Sequence, residues 1–414
     1  MKIRLLMLAA IILIGIGLVV AYLYLRNRDG GATRVQPFET VIPAGDRPDS
    51  AFSDEERLAP PVAAFKGPKG EYGFINRFGF VVIKPQYKLA HDFLDDCAVV
   101  YSESKCSIID FNGKERFPTS PGVRQLWQGL EKMVWYRTDN DEHWGLMDKT
   151  GRVVLKPTYD RVRQFSDGNA AVNIGAKFKF PGRWMGGKWG FIDSKGVVVI
   201  PIENESVGSF SEGLALIENR GKRFVDKEGK TVFELPVSSF RTGDFSEGLA
   251  PANVSELGGE KDDVTHFIDR QGKTEFRVDG IADSFREGLA ANNLFCSGEV
   301  SRRSAGFIDR QGKFAIAPQF VEVRSFNEGL AEVRVKQANA DFKDALWGYV
   351  DKKGIIRIRP QFHVVHPFHG GIALVQIGGK YTSPYDARPY WADGEWWLID
   401  QSGRKLKRSW IGRE

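Results

Sequence analysis

From about residue 52 onward the chain alternates short apolar runs with turn residues, and one order of runs keeps returning. The clearest run is an aromatic-Gly pair or its variant, then an apolar residue, Ile, Val or Met, and Asp, with a Gly three residues later. It occurs nine times: Tyr72-Gly73-Phe74-Ile75-Asn76, Cys106 to Asp110, Trp144-Gly145-Leu146-Met147-Asp148, Trp189-Gly190-Phe191-Ile192-Asp193, Lys222 to Asp226, His266 to Asp269, Ala305-Gly306-Phe307-Ile308-Asp309, Trp347-Gly348-Tyr349-Val350-Asp351 and Trp396 to Asp400. Successive Asp or Asn positions are 33 to 49 residues apart, a period that marks an array or a propeller. A second run lies upstream, as in Phe210-Ser-Glu-Gly-Leu-Ala, Phe245-Ser-Glu-Gly-Leu-Ala, Phe285-Arg-Glu-Gly-Leu-Ala and Phe326-Asn-Glu-Gly-Leu-Ala, with fainter versions at Phe52 to Val62, Phe93 to Val99 and Leu126 to Met133.

Both runs are short, apolar and bounded by turn residues, which predicts strands. In Asp-x-x-Gly the Asp side chain can cap its own turn and Gly supplies a positive φ, so Asp193-Ser-Lys-Gly196, Asp309-Arg-Gln-Gly312 and Asp351-Lys-Lys-Gly354 are predicted hairpin turns, their carboxylates structural. The Gly after each Trp predicts a close crossing by a neighbouring strand or ring. Pro85, Pro157, Pro318 and Pro360 are expected to end the strand that follows the turn. A possible further strand runs through Val323 to Phe326.

These units resemble WG repeats, the bacterial repeat family named for its Trp-Gly pair. Trp189 to Pro201 and Trp347 to Pro360 fit best, then Trp144 to Pro157, and the resemblance spans about residues 52 to 405. The structural repeat positions are therefore Trp144, Gly145, Trp189, Gly190, Trp347 and Gly348. Cys106, Lys222 and His266 depart from the pattern, and their units are expected to pack less well. The resemblance implies an all-β scaffold that serves interactions and brings no catalytic residues.

The fold class that follows is all-β: about nine three- to four-stranded meanders in tandem, at 52–414. Propellers typically have four to eight blades. A curved, ring-like or propeller-like array is therefore favoured only slightly over an open superhelix.

Leu5 to Leu25 is 21 residues without a charge, about 31 Å of helix, which matches a hydrocarbon core. The run is longer than a signal peptide's apolar region and closes on Val20-Ala21-Tyr22-Leu23-Tyr24-Leu25 with no small-x-small site, so residues 1–26 read as one uncleaved transmembrane helix. Lys2, Arg4 and the α-amino group outweigh Arg26 and Arg28, which puts the repeats outside the cytoplasm on a single-pass protein. Residues 27–51 read as a flexible linker.

The net charge of +5 comes from 58 basic and 53 acidic side chains that interleave, so no basic stripe points to nucleic acid. No phosphate loop, nucleophile motif or catalytic carboxylate pair appears in a plausible context, and no cofactor is implied. His363, His366 and His369 recur every third residue and could bind zinc or copper, but other copies carry Glu, Arg, Asp and Ser there, and surface substitution explains them better. Of three cysteines, Cys296 reads as a buried small hydrophobe. Cys97 and Cys106 sit on adjacent strands. A turn centred on Tyr101-Ser102 opposes them, whereas one centred on Ser102-Glu103 pairs Cys97 with Ile108 and Cys106 with Val99; the Ser-Glu-Ser composition favours the second.

The functional expectation is a membrane-anchored scaffold for a protein or glycan partner at the cell envelope. A structural spacer and an accessory cell-wall hydrolase are the alternatives. Insertions at Lys177 to Gly187, Ser255 to Asp263, Gln337 to Ala345 and Gly378 to Gly394 fall at one place in the repeat and should project from one side. Tyr381, Tyr385, Tyr390 and Trp391 in the last of these are the candidate contact residues.

Overall fold

The structure, a computed structural model, describes residues 52–409 except 95, 104, 118–121, 129–132, 180–182, 237–238, 255–263, 295–303, 337–343, 382–390 and 393. The expected anchor and linker lie outside the described residues, as does Cys296. Among the described residues no helix is long and apolar enough to cross a membrane.

Nine antiparallel sheets follow one another along the chain, eight of four strands and the first of three. They span 61–87, 89–117, 123–159, 161–204, 206–234, 239–279, 281–320, 322–362 and 364–409, and are called blades I to IX. Blade VIII shows the plan. A two-residue first strand, Glu322–Val323, lies where the sequence hinted at one; Leu330–Val335, Leu346–Asp351 and Ile356–Phe362 follow. The turn before the fourth strand is capped by Asp351, whose Oδ1 accepts the N–H groups of Lys353 and Ile355 at 2.9 Å. The blades built on Cys106, Lys222 and His266 have all four strands despite their altered Trp-Gly slots.

The Trp-Gly pair is explained by a bulge. Trp347 pairs with Phe362 and Tyr349 with Ile358, so a step of two residues on the third strand faces four on the fourth. The bulged backbone presses on the glycine: a Cβ at Gly348 would lie 2.5 Å from the Ile358 carbonyl oxygen, and one at Gly190 equally close to that of Ile200. The prolines correct an expectation. Pro85, Pro157, Pro318 and Pro360 lie inside fourth strands rather than at their ends. The bulge takes them out of the regular ladder, where their missing N–H is tolerated.

Adjacent blades are joined by rings. At six joints the turn phenylalanine of a blade meets an aromatic of the blade before it, Phe74–Phe93, Phe191–Phe210, Phe224–Phe245, Phe267–Phe285, Phe307–Phe326 and Tyr349–Phe368, with centroids 4.7 to 5.0 Å apart. The Asp-x-x-Gly turn of each blade also rests on the fourth strand of its predecessor: Gly229 on Ile200, Gly354 on Ile316, Gly403 on Ile358.

The same joint closes the ring. Gly79 of blade I rests on Leu406 of blade IX, and Arg404 donates to the Phe78 carbonyl at 3.3 Å. Ala63, Phe65 and Ile75 of blade I share one apolar cluster with Ile372 and Leu398 of blade IX. The array is therefore a closed nine-bladed β-propeller. Among the described residues no blade is assembled from strands of both chain ends, so closure rests on side-chain packing and the Arg404 hydrogen bond.

Among the described residues blade I has no first strand. Along the free side of Pro61–Lys66, blade II substitutes: the Asp92 carboxylate accepts the Ala64 N–H at 2.7 Å, and Phe93 N–H donates to Val62 O at 3.3 Å. The faint copy beginning at Phe52 forms a helical turn, Asp54–Arg57, because Ser53 and Glu56 make a reciprocal capping box and no glycine supplies the left-handed turn.

The cysteine register differs from both expected alternatives. Tyr101 pairs with Cys106 and Val99 with Ile108, a register two residues away from the second alternative. Cys97 then lies four residues along the strand from the residue facing Cys106, about 13 Å at 3.3 Å per residue, twice the span a disulfide tolerates. Both side chains are buried in one apolar cluster, where the Cys106 thiol donates to the Val123 carbonyl at 3.4 Å.

Candidate functional site

In every four-stranded blade the turns between strands one and two and between three and four leave the same end of the sheet. The connection between strands two and three leaves the other end. The propeller therefore has a turn rim and a loop rim.

The turn rim is stitched. In Phe-x-Glu-Gly the acidic residue has φ near +55°: Asp167 57°, Glu212 52°, Glu247 55°, Glu287 55° and Glu328 53°. That conformation costs a side chain about 1 to 2 kcal/mol, and glycine would avoid it. What the carboxylate does instead is reach into the next blade. Asp167 takes the Gly213 N–H at 2.6 Å, Glu212 that of Gly248 at 3.0 Å, Glu247 that of Gly288 at 2.9 Å and Glu287 that of Gly329 at 3.1 Å. Glu328 takes those of Gly370 and Gly371 at 2.6 and 2.8 Å. Ser166, Ser211 and Asn327, one residue earlier, donate across the same joints to the carbonyls of Phe210, Phe245 and Phe368. Burial pushes the Glu287 carboxyl up, but the Lys352 ammonium and the Gly329 N–H outweigh it and hold the group below its ordinary value.

The loop rim carries the variable insertions, all between strands two and three. The 177–187 insertion is not a loop. It extends its strands to Asn169–Lys179 and Arg183–Asp193, an arm paired continuously from Asn169↔Asp193 to Lys179↔Arg183. Gly175 and Gly187 kink its base with φ of 85° and 75°, and Asp160 holds the kink by accepting the Gly175 and Ala176 N–H groups at 2.6 and 3.0 Å. Beyond the kink, Phe178 is 62% exposed and Met185 47%, with Ile174, 45% exposed, just before it, and Phe178 meets Trp184 edge-on at 5.5 Å. Below the arm, a cleft of about 660 Å³ is lined from blades IV and V by Lys188, Glu203, Glu205, Asn219, Arg220, Lys222, Arg223 and Glu234. Lys188 belongs to both cleft and arm.

Of the expected contact residues, Tyr385 and Tyr390 lie outside the described residues. Tyr381 and Trp391 pair across a two-stranded ribbon inserted in blade IX. Trp189, Trp347 and Trp144 are buried, each under a guanidinium: Arg163 5.0 Å from the Trp189 centroid, Arg324 4.4 Å from Trp347, Arg137 4.3 Å from Trp144. The three histidines are dispersed. His363 Nδ1 accepts the Gly378 N–H at 3.0 Å, His366 lies against Trp396, and His369 begins the turn facing Ile372. Burial holds His363 and His366 below the ordinary imidazole value. In the sequence, the only sign of the arm's exposed apolar residues is the alternation Lys177-Phe178-Lys179 after Gly175.

Closed ring, nine blades and two unlike rims define the class, a nine-bladed β-propeller. The WG containing repeat matches the chain at residues 72–106, 144–178, 189–222, 306–337 and 347–381, and the chain is a WG repeat protein. No curated protein matches it. Among solved structures it is similar to a eukaryotic initiation factor, at 12% identity and a TM-score of 0.51 over 76% of this chain and 85% of that one. The tricorn protease is 12% identical with a TM-score of 0.32 over 82% and 40% of the two chains. A prolyl endopeptidase is 10% identical with a TM-score of 0.40 over 70% and 48%. The first likeness shows the fold alone, and the others are too distant to carry an argument.

Proposed function

We propose that the propeller is a scaffold rather than an enzyme, held at a membrane by segment 5–25, and that its loop rim receives a protein or glycan partner at the cell envelope. The observation that carries this reading is the asymmetry of the rims. Every long insertion leaves from the loop rim, whereas the turn rim is spent on contacts between blades. Surface variation collected on one side of a rigid repeat array is how such folds present a binding face.

Photo-crosslinkers at Arg220 on the loop rim and at Gln271 on the turn rim test it in the full-length protein in its native membrane. Adducts from Arg220 and not from Gln271, with no substrate turnover by the purified protein, are expected. Adducts confined to Gln271, none from either rim, or turnover of envelope material would overturn the reading.

A further inference from the structure

We propose that the blade IV arm is a peripheral membrane contact, an amphipathic β-ribbon whose apolar side chains enter the headgroup region of an anionic lipid surface. The inference is independent of the partner proposed above.

Register divides the arm into two faces. Ile174 pairs with Lys188, Ala176 with Gly186 and Phe178 with Trp184, so Ile174, Ala176, Phe178 and Trp184 share one face, with Lys188 at its base. Lys177 opposite Met185 lies on the other. Phe178 is the most exposed aromatic among the described residues, on a projection where no second layer covers it. Aromatic and aliphatic side chains on one face with lysines beside them are what an interfacial element needs: the rings enter the acyl boundary and the ammonium groups meet phosphates.

Charge selects the occupant. From Asn169 to Ile192 the chain carries Lys177, Lys179, Arg183 and Lys188 and no acidic residue, in a protein whose acids and bases otherwise interleave. Each basic side chain close to an anionic leaflet adds about 1 kcal/mol, about fivefold in partitioning. The arm is also held to one direction, since Asp160 fixes its kink from the neighbouring blade junction. An apolar, basic, outward-held ribbon suits a fluid anionic surface, which needs no complementary groove.

Residues 42–414 form one compact unit with every blade joint inside it, so this fragment can be tested apart from the anchor. It is co-sedimented with vesicles of phosphatidylcholine alone and with vesicles that also contain phosphatidylglycerol. Binding to the anionic vesicles only, weakened by added salt, is expected. Phe178→Ser with Ile174→Ser, and separately Lys177→Glu, should each lower partitioning at least about tenfold. An unchanged unfolding midpoint shows that each variant keeps the propeller, and Trp127→Phe serves as a substitution away from the arm. Equal partitioning to both vesicle types, no partitioning, or variants that bind like the parent would overturn the proposal. None of these outcomes bears on the crosslinks from Arg220, so the two readings fail separately.

Discussion

The carboxylate of Glu212, on a backbone with φ of 52°, takes the N–H of Gly248 in the following blade, 3.0 Å from one oxygen and 3.2 Å from the other. Local strain and a contact between blades are thus one device, repeated at five successive joints. It explains why the turn reads Glu-Gly rather than Gly-Gly. A residue with a long acceptor is required at the strained position, and Gly248 leaves its N–H bare for it.

Replacing Glu212 separates the two terms. Glu212→Ala keeps the strain and loses the acceptor, while Glu212→Gly loses both. Glu212→Ala is expected to destabilise the propeller by about 2 kcal/mol, and Glu212→Gly by about 1 kcal/mol less than that. Chemical denaturation of the two variants checks this, and equal losses would show that the backbone is not strained.

Trp189→Ala and Trp347→Ala should each cost about 3 to 5 kcal/mol, because each ring is about 5% exposed and packed beneath an arginine. The loss should be local, with faster hydrogen exchange in the blade concerned and its neighbours. An unchanged unfolding profile would mean that the ring contributes nothing to the joint.

The seam gives a third prediction. Phe52 is buried edge-on to Phe80 at 5.1 Å, with the Arg404 guanidinium 5.3 Å from its ring. It latches the chain's entry to the junction of blades I and IX. Phe52→Ala, at about 3 kcal/mol, should raise exchange and protease sensitivity in blades I and IX before any change in blade V. A uniform effect over all blades would contradict a local role of Phe52 at the seam.

Acid should loosen the joint between blades II and III. Asp96 is held at about 2 by hydrogen bonds from Arg116 and, across the joint, from Lys149. A carboxyl lowered by folding stabilises the fold above its ordinary value of 3.8 and withdraws that support as the pH falls toward 2. The side chain is half exposed, so solvent screens part of the effect. Asp96→Asn should destabilise slightly at neutral pH and flatten the stability profile between about pH 4 and 2. A profile unchanged in that window would remove Asp96 from the acid response.

Much of the blade was legible in the chain. Trp-Gly-Phe-Ile-Asp and Phe-x-Glu-Gly-Leu-Ala mark the strands and turns because each feature answers a short-range demand: alternate burial, an Asp cap, a positive φ. Even the crossing near each Trp-Gly was readable, since only glycine tolerates it. What failed was set at longer range. The prolines looked like strand ends because a bulge is visible only when two strands are aligned. The register of the Cys97 and Cys106 strands differs by two residues from the favoured reading because it depends on a turn centre that Ser-Glu-Ser does not specify.

Sequence by itself determined the repeat, its all-β character and the single position in the unit where insertions accumulate, because those follow from local periodicity. Tertiary structure decided that nine units close into a ring, since closure depends on the small rotation at each joint summed over the whole array. Only when Gly79 meets Leu406 as Gly403 meets Ile358 does that sum become a full turn. It also decided that residues 177–187 rise as an arm, because Asp160, from a junction outside the insertion, fixes the kink at its base.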